Sequence, residues 1–189
     1  MPFIAIDSKG NRVDITRLED PRLEYQKGDL HCQLCGEPMY PRVRKGYISH
    51  FVHYGDCKSE KFGIREKETN EHLFGKQEIA RMLREQLPDQ NILIEYEVPL
   101  IEISRIADVI ITFPMGWRIT HEIQLSPIAE EEIAERTRDY GSIGIDVIWW
   151  LGEKAAARVR DWCVGEFGRV YIIKFVRSDH EQLVNPANL

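Results

Sequence analysis

Between residues 68 and 87 apolar side chains recur at helical spacing. Leu73, Ile79, Ala80, Leu83 and Leu87 share one arc, and Glu71, Glu78, Arg81 and Glu85 lie opposite. Three apolar runs follow at 92–101, 106–113 and 117–125, separated by short polar or Pro/Gly breaks, and these predict strands. Ser126-Pro127 predicts a helix start, with the serine as cap and the proline at the first helical position. That helix should run to Tyr140, before Gly141. Residues 143–151 are apolar on both faces, as in a central strand. Residues 153–162 are rich in helix formers, and 169–176 suit a last strand. The order helix, three strands, helix, strand predicts an α/β fold with a three-layer α/β/α core and a mixed sheet. Residues 1–60 differ: turn formers cluster at 7–11, 27–29 and 45–46, with no long helical period, which predicts a small module of short strands. The expected division is 1–62 for this module, 63–180 for the core and 181–189 for a tail.

Composition adds bounds. The 189 residues are 43% hydrophobic and 30% charged, enough for one full core and unlike a disordered or collagenous chain. No apolar run approaches the roughly 18 residues that cross a bilayer, and the opening residues lack a secretory pattern, so we expect a cytoplasmic protein without a membrane partner. The net charge of −6 argues against a protein that coats nucleic acid all over. Its distribution is uneven: residues 37–84 carry ten Lys or Arg against seven acids, whereas 95–153 carry four against twelve. A polyanion should meet the first half. The acids of the second half could gather divalent cations or form a solvated face.

Cys32-Gln-Leu-Cys35-Gly36 sets two thiols at the spacing that lets both reach one tetrahedral ion, and the glycine permits the tight turn. His50-Phe-Val-His53-Tyr-Gly-Asp-Cys57 offers three further ligands. We select Cys32, Cys35, His53 and Cys57 as a structural Zn²⁺ site, with His50 as the alternative ligand. Four protein ligands leave no open position, and metal binding would supply much of the module's folding free energy. A redox pair is the rival, but Gly36-Glu37-Pro38 begins no convincing helix behind the cysteines. Cys163 reads as a buried or idle thiol.

Glu68, His72 and Lys76 are spaced four apart and fall on the apolar arc of the first long helix, toward its amino end. Inward polar groups need partners, although an exposed first turn with an ordinary ion pair would also fit. The strands weigh against that. Asp108 interrupts an otherwise apolar run, and alternation sends Glu122 and Gln124 to one face, with Ile119, His121, Ile123 and Leu125 on the other. Two carboxylates on adjacent strands, with an inward His and Glu, are a ready ligand set for Mg²⁺ or Mn²⁺. An ion held there can bridge a phosphodiester and lower the pKa of bound water.

The ordered motifs Cys32-x-x-Cys35, His50-Phe51-Val52-His53, Glu68-x-x-x-His72, Lys76, Arg105-x-x-Asp108-Val109, Glu122-Ile123-Gln124-x-Ser126, Arg136-Thr137-x-x-Tyr140 and Val147-Ile148-Trp149 cover residues 32–152. Together they resemble the competence protein CoiA-like nucleases, within the restriction-endonuclease-like PD-(D/E)XK superfamily. The resemblance implies that Asp108 and Glu122 ligate the catalytic cation, with the Ile123 carbonyl as a further ligand. It also implies that His72 completes the sphere, and that Glu68 binds a second ion or orients water. Gln124 stands where the superfamily commonly has Lys, though the CoiA-like group accepts Gln, and an amide brings no charge. Lys76 could supply that cation. Arg136 and Tyr140 match positions that hold the site or the DNA backbone. Family chains typically continue past the last core strand, so we expect either a minimal nuclease or a subunit that works with a partner.

The leading expectation is therefore a Mg²⁺- or Mn²⁺-dependent DNA endonuclease whose zinc module presents Arg42, Arg44, Lys45, Lys58 and Lys61 to phosphates. As a homodimer it could cut both strands. The alternatives are a catalytically inactive nuclease-fold module that binds nucleic acid or assembles with partner proteins, and a zinc-thiolate redox protein.

Overall fold

A computed structural model describes residues 2–57, 59, 68–88 and 91–175. The chain forms two compact units that divide between Phe74 and Gly75. The first unit contains β1 (Ile4–Asp7), β2 (Arg12–Asp14), the short helix α1 (Pro21–Glu24), β3 (Leu30–His31), β4 (Pro38–Arg42) and β5 (His50–His53). Its sheet has the order β2-β1-β3-β4-β5 and is antiparallel throughout. Phe3, Leu30, Met39 and Phe51 are fully buried, which makes a core of few residues. So small a core gains much from a metal staple.

The second unit is built on β6 (Leu93–Leu100), β7 (Arg105–Thr112), β8 (Arg118–Gln124), β9 (Ile145–Gly152) and β10 (Tyr171–Ile173), in the order β10-β9-β8-β7-β6. β6, β7 and β8 are antiparallel neighbours, whereas β9 runs parallel to both β8 and β10. The sheet is mixed, as the apolar runs predict, and the doubly apolar strand β9 lies inside it. Helices α3 (Glu130–Ser142) and α4 (Ala157–Phe167) cover one face, where Ile133, Tyr140, Val159 and Cys163 join Ile110, Val147, Trp149 and Leu151 in one core. The opposite face of β8 carries Ile123, and α2 (Asn70–Gln86) lies close against it. A β-carbon on Gly75 would come within 3.2 Å of the Ile123 side chain. α2 is one unbroken helix, with Leu73, Ile79, Ala80 and Leu83 buried as their arc predicts.

Some boundaries differ from expectation. α3 begins at Glu130 rather than at Ser126-Pro127, and no side chain caps it. The Ser126 carbonyl and hydroxyl oxygens instead accept from the Gln124 amide, at 3.0 and 2.8 Å. The same helix continues through Gly141 to Ser142. α2 starts at Asn70, two residues after Glu68, and α4 starts at Ala157 rather than near residue 153.

Candidate functional site

The main-chain ladder between β7 and β8 runs from Thr112 opposite Arg118 to Val109 opposite His121. At the next pair, Asp108 and Glu122, side chains take over. Glu122 Oε1 accepts from the Asp108 main-chain N–H at 3.2 Å, and Asp108 Oδ2 accepts from the Ile123 N–H at 3.0 Å. Both carboxylates are buried and satisfied by these bonds, which fix their orientation.

Each is also met by a cation. Arg136, on α3, donates from Nη2 to Glu122 Oε2 at 2.7 Å and from Nη1 to the Gln124 side-chain oxygen Oε1 at 3.3 Å. Its guanidinium lies 4.7 Å from the centre of the Trp149 ring, which opposes Glu122 across the β8–β9 ladder. Thr120 donates to Glu122 Oε1 at 2.9 Å. Lys76, fully buried on α2, places Nζ 3.0 Å from Glu97 Oε1 and 3.3 Å from Asp108 Oδ1. Near the start of α2, Glu68 Oε1 and His72 Nδ1 are 3.0 Å apart.

Burial, and then the neighbouring Asp108 charge, raise the Glu122 pKa, while Arg136 pulls it down. For Arg136, burial works against the charge, but the Glu122 and Asp108 carboxylates outweigh it and hold the guanidinium above its ordinary value. The buried Tyr140 hydroxyl is also pushed up, first by burial and then by the Glu122 charge, so it keeps its proton.

In the first unit, the ligand atoms of Cys32, Cys35, His53 and Cys57 lie within 4.8 Å of one another. Cys35 Sγ is 3.4 Å from His53 Nε2 and 3.6 Å from Cys57 Sγ. A tetrahedral zinc with bonds of about 2.3 Å to sulfur would set its ligands about 3.7 Å apart, so the spacing fits an ion and is too long for a disulfide. The turn that gathers them closes with Gly36 N–H on the Cys32 carbonyl at 2.9 Å and the left-handed Gly36, φ 73°. Burial pushes the Cys32 thiol up to about 12, opposite to the depressed value of a redox nucleophile. His50 stands apart from the four, with Nδ1 2.8 Å from the Ile48 carbonyl.

Of the other predicted residues, Arg44 and Lys45 are exposed, while Arg42 is half-buried and donates to the Tyr40 hydroxyl at 3.2 Å. Lys58 and Lys61 lie outside the described residues. Sequence reasoning missed Glu97 and Thr120. Thr120 shares the Glu122 face by simple alternation, and Glu97 is an acid inside an apolar run, the same signal that singled out Asp108.

Residues 68–183 match the family described as competence protein CoiA, nuclease-like domain. No curated protein matches the chain. Among solved structures, a repair endonuclease from Pyrococcus abyssi is similar at 14% identity and a TM-score of 0.33, covering 60% of this chain and 49% of that one. A structure described as an EndoMS-dsDNA2 complex is similar at 11% identity and a TM-score of 0.33, covering 73% of this chain and 61% of that one. The chain thus spans about half of the first and less than two thirds of the second.

Proposed function

Since the chain belongs to the CoiA nuclease-like family, we propose that it is a DNA endonuclease that uses Mg²⁺ or Mn²⁺, with a structural Zn²⁺ in its amino-terminal unit. The reading rests above all on the meeting of Asp108 with Glu122 and Lys76 where the β7–β8 ladder ends. Carboxylate and imidazole donors suit a hard or borderline divalent ion, and three sulfurs with one imidazole suit zinc. The catalytic ion would be held by Asp108 and His72, with Glu122 and the Ile123 carbonyl as further ligands and Glu68 orienting water. Bound there, it would polarise the phosphodiester and lower the pKa of a water nucleophile.

The chain's own groups supply the rest. The main-chain N–H groups of Asp108 and Ile123 hold the Glu122 and Asp108 carboxylates in place before substrate arrives, so little reorganisation accompanies binding. Gln124 brings no charge, and Arg136 on its side-chain oxygen, together with Lys76 on Asp108, provides the positive field for the phosphate that a lysine would otherwise give. Tyr140 keeps its proton beside Glu122 and acts as a positioning group. In the first unit, Arg44 and Lys45 are exposed to meet the DNA backbone, with Arg42, Lys58 and Lys61 completing the basic set. We divide the chain into a zinc module at 1–62, a nuclease core at 63–180 and a tail. Two copies, or a partner protein, would serve to cut both strands. Free cysteines suit a reducing cytoplasm, and no helix among the described residues is long and apolar enough to cross a membrane.

One observation favours a second reading, a non-cutting nucleic-acid-binding module: both Glu122 oxygens are already engaged, one by Arg136. Mn²⁺ titrated against labelled single- and double-stranded DNA separates the two readings. Metal-dependent cleavage lost in Asp108→Ala supports the nuclease, and binding without cutting supports the module.

A further inference from the structure

We infer that the site takes one divalent cation rather than two, because the Lys76 ammonium, locked by Glu97, fills the place of the second. The inference rests on the metal-dependent reading above. Glu97 is unusual on two counts. It is fully buried, and it has φ 51° in the middle of β6, between Tyr96 opposite Val109 and Val98 opposite Ala107. A left-handed residue other than glycine inside a strand is uncommon, and such conformations concentrate where geometry serves function.

Here the conformation accompanies an inward carboxylate. Lys76 Nζ lies 3.0 Å from Glu97 Oε1 and 3.3 Å from Asp108 Oδ1, so one fixed positive charge bridges two buried carboxylates. In a two-ion phosphodiesterase a second metal ion bridges acidic ligands in that way. The two oxygens of Asp108 are divided, Oδ1 toward Lys76 and Oδ2 on the Ile123 N–H. Displacing the ammonium would leave two carboxylates buried together, which opposes its release. Glu97 is therefore a positioning residue, acting through Lys76.

Mn²⁺ stoichiometry, read by electron paramagnetic resonance on the full chain and counting only ions that Asp108→Ala releases, tests the inference. The wild type should bind one ion, Lys76→Met two, and Lys76→Met/Glu97→Gln one. Two ions in the wild type, or one in a folded Lys76→Met variant, overturns the inference while the metal-dependent reading stands. A folded wild type that binds none defeats that reading, and the inference with it. Should Lys76→Met fail to fold, the wild-type count decides alone: one supports the inference and two overturns it.

Discussion

Asp108 and Glu122 exchange hydrogen bonds with each other's strands where the β7–β8 ladder stops, so the two acids close the gap that they occupy. The pair therefore has structural as well as chemical weight, and substitutions should separate the two. Asp108→Asn keeps an acceptor for the Ile123 N–H and removes the charge. Cleavage should fall by at least about 10²-fold while thermal melting changes little. Glu122→Ala should do both: it leaves Arg136 without its carboxylate and should cost about 3–5 kcal/mol, read by urea unfolding.

Arg136 combines a charge with a planar fork, reaching Glu122 and Gln124 at once while its face lies on Trp149. Arg136→Lys retains only the charge. Cleavage should drop about 10-fold or more, with most of the loss in kcat, because a flexible ammonium cannot hold both contacts. Wild-type kinetics in the variant would exclude this role.

Introducing the superfamily's usual residue should not help. Gln124→Lys sets a second cation beside the Arg136 guanidinium, now 3.3 Å from the Gln124 side-chain oxygen, and should destabilise by about 1 kcal/mol without raising activity. Removing the neighbouring cation in Gln124→Lys/Arg136→Gln should relieve that repulsion, so the two substitutions should couple. A double-mutant cycle with no coupling would contradict the arrangement.

Metal removal should act on the first unit. With one zinc bound, chelation should unfold that unit and expose Cys32, Cys35 and Cys57 to a thiol reagent. Cys163, 1% exposed with its thiol pushed up to about 11 by burial, should react only after denaturation. Four reactive thiols before chelation would refute the site.

Strand phase made much of this legible. Alternation alone puts Glu122 and Gln124 on one face of β8, and the helical arc makes Lys76 inward, where it is fully buried. Glu97 was legible as an acid inside an apolar run, but its conformation was not: nothing in Tyr96-Glu97-Val98-Pro99 announces a left-handed backbone, and its partner is a lysine from a helix twenty-one residues earlier. Ser126-Pro127 misled for a related reason: local cap chemistry was sound, but the Gln124 side chain claims the serine's oxygens and delays the helix to Glu130. Pairings set by tertiary contact leave little trace in a local window.

The most direct measurement of the central claim is anomalous diffraction from crystals of the full chain soaked in Mn²⁺. A manganese peak ligated by Asp108 and His72 is the predicted result. Manganese found only on surface acids would contradict it.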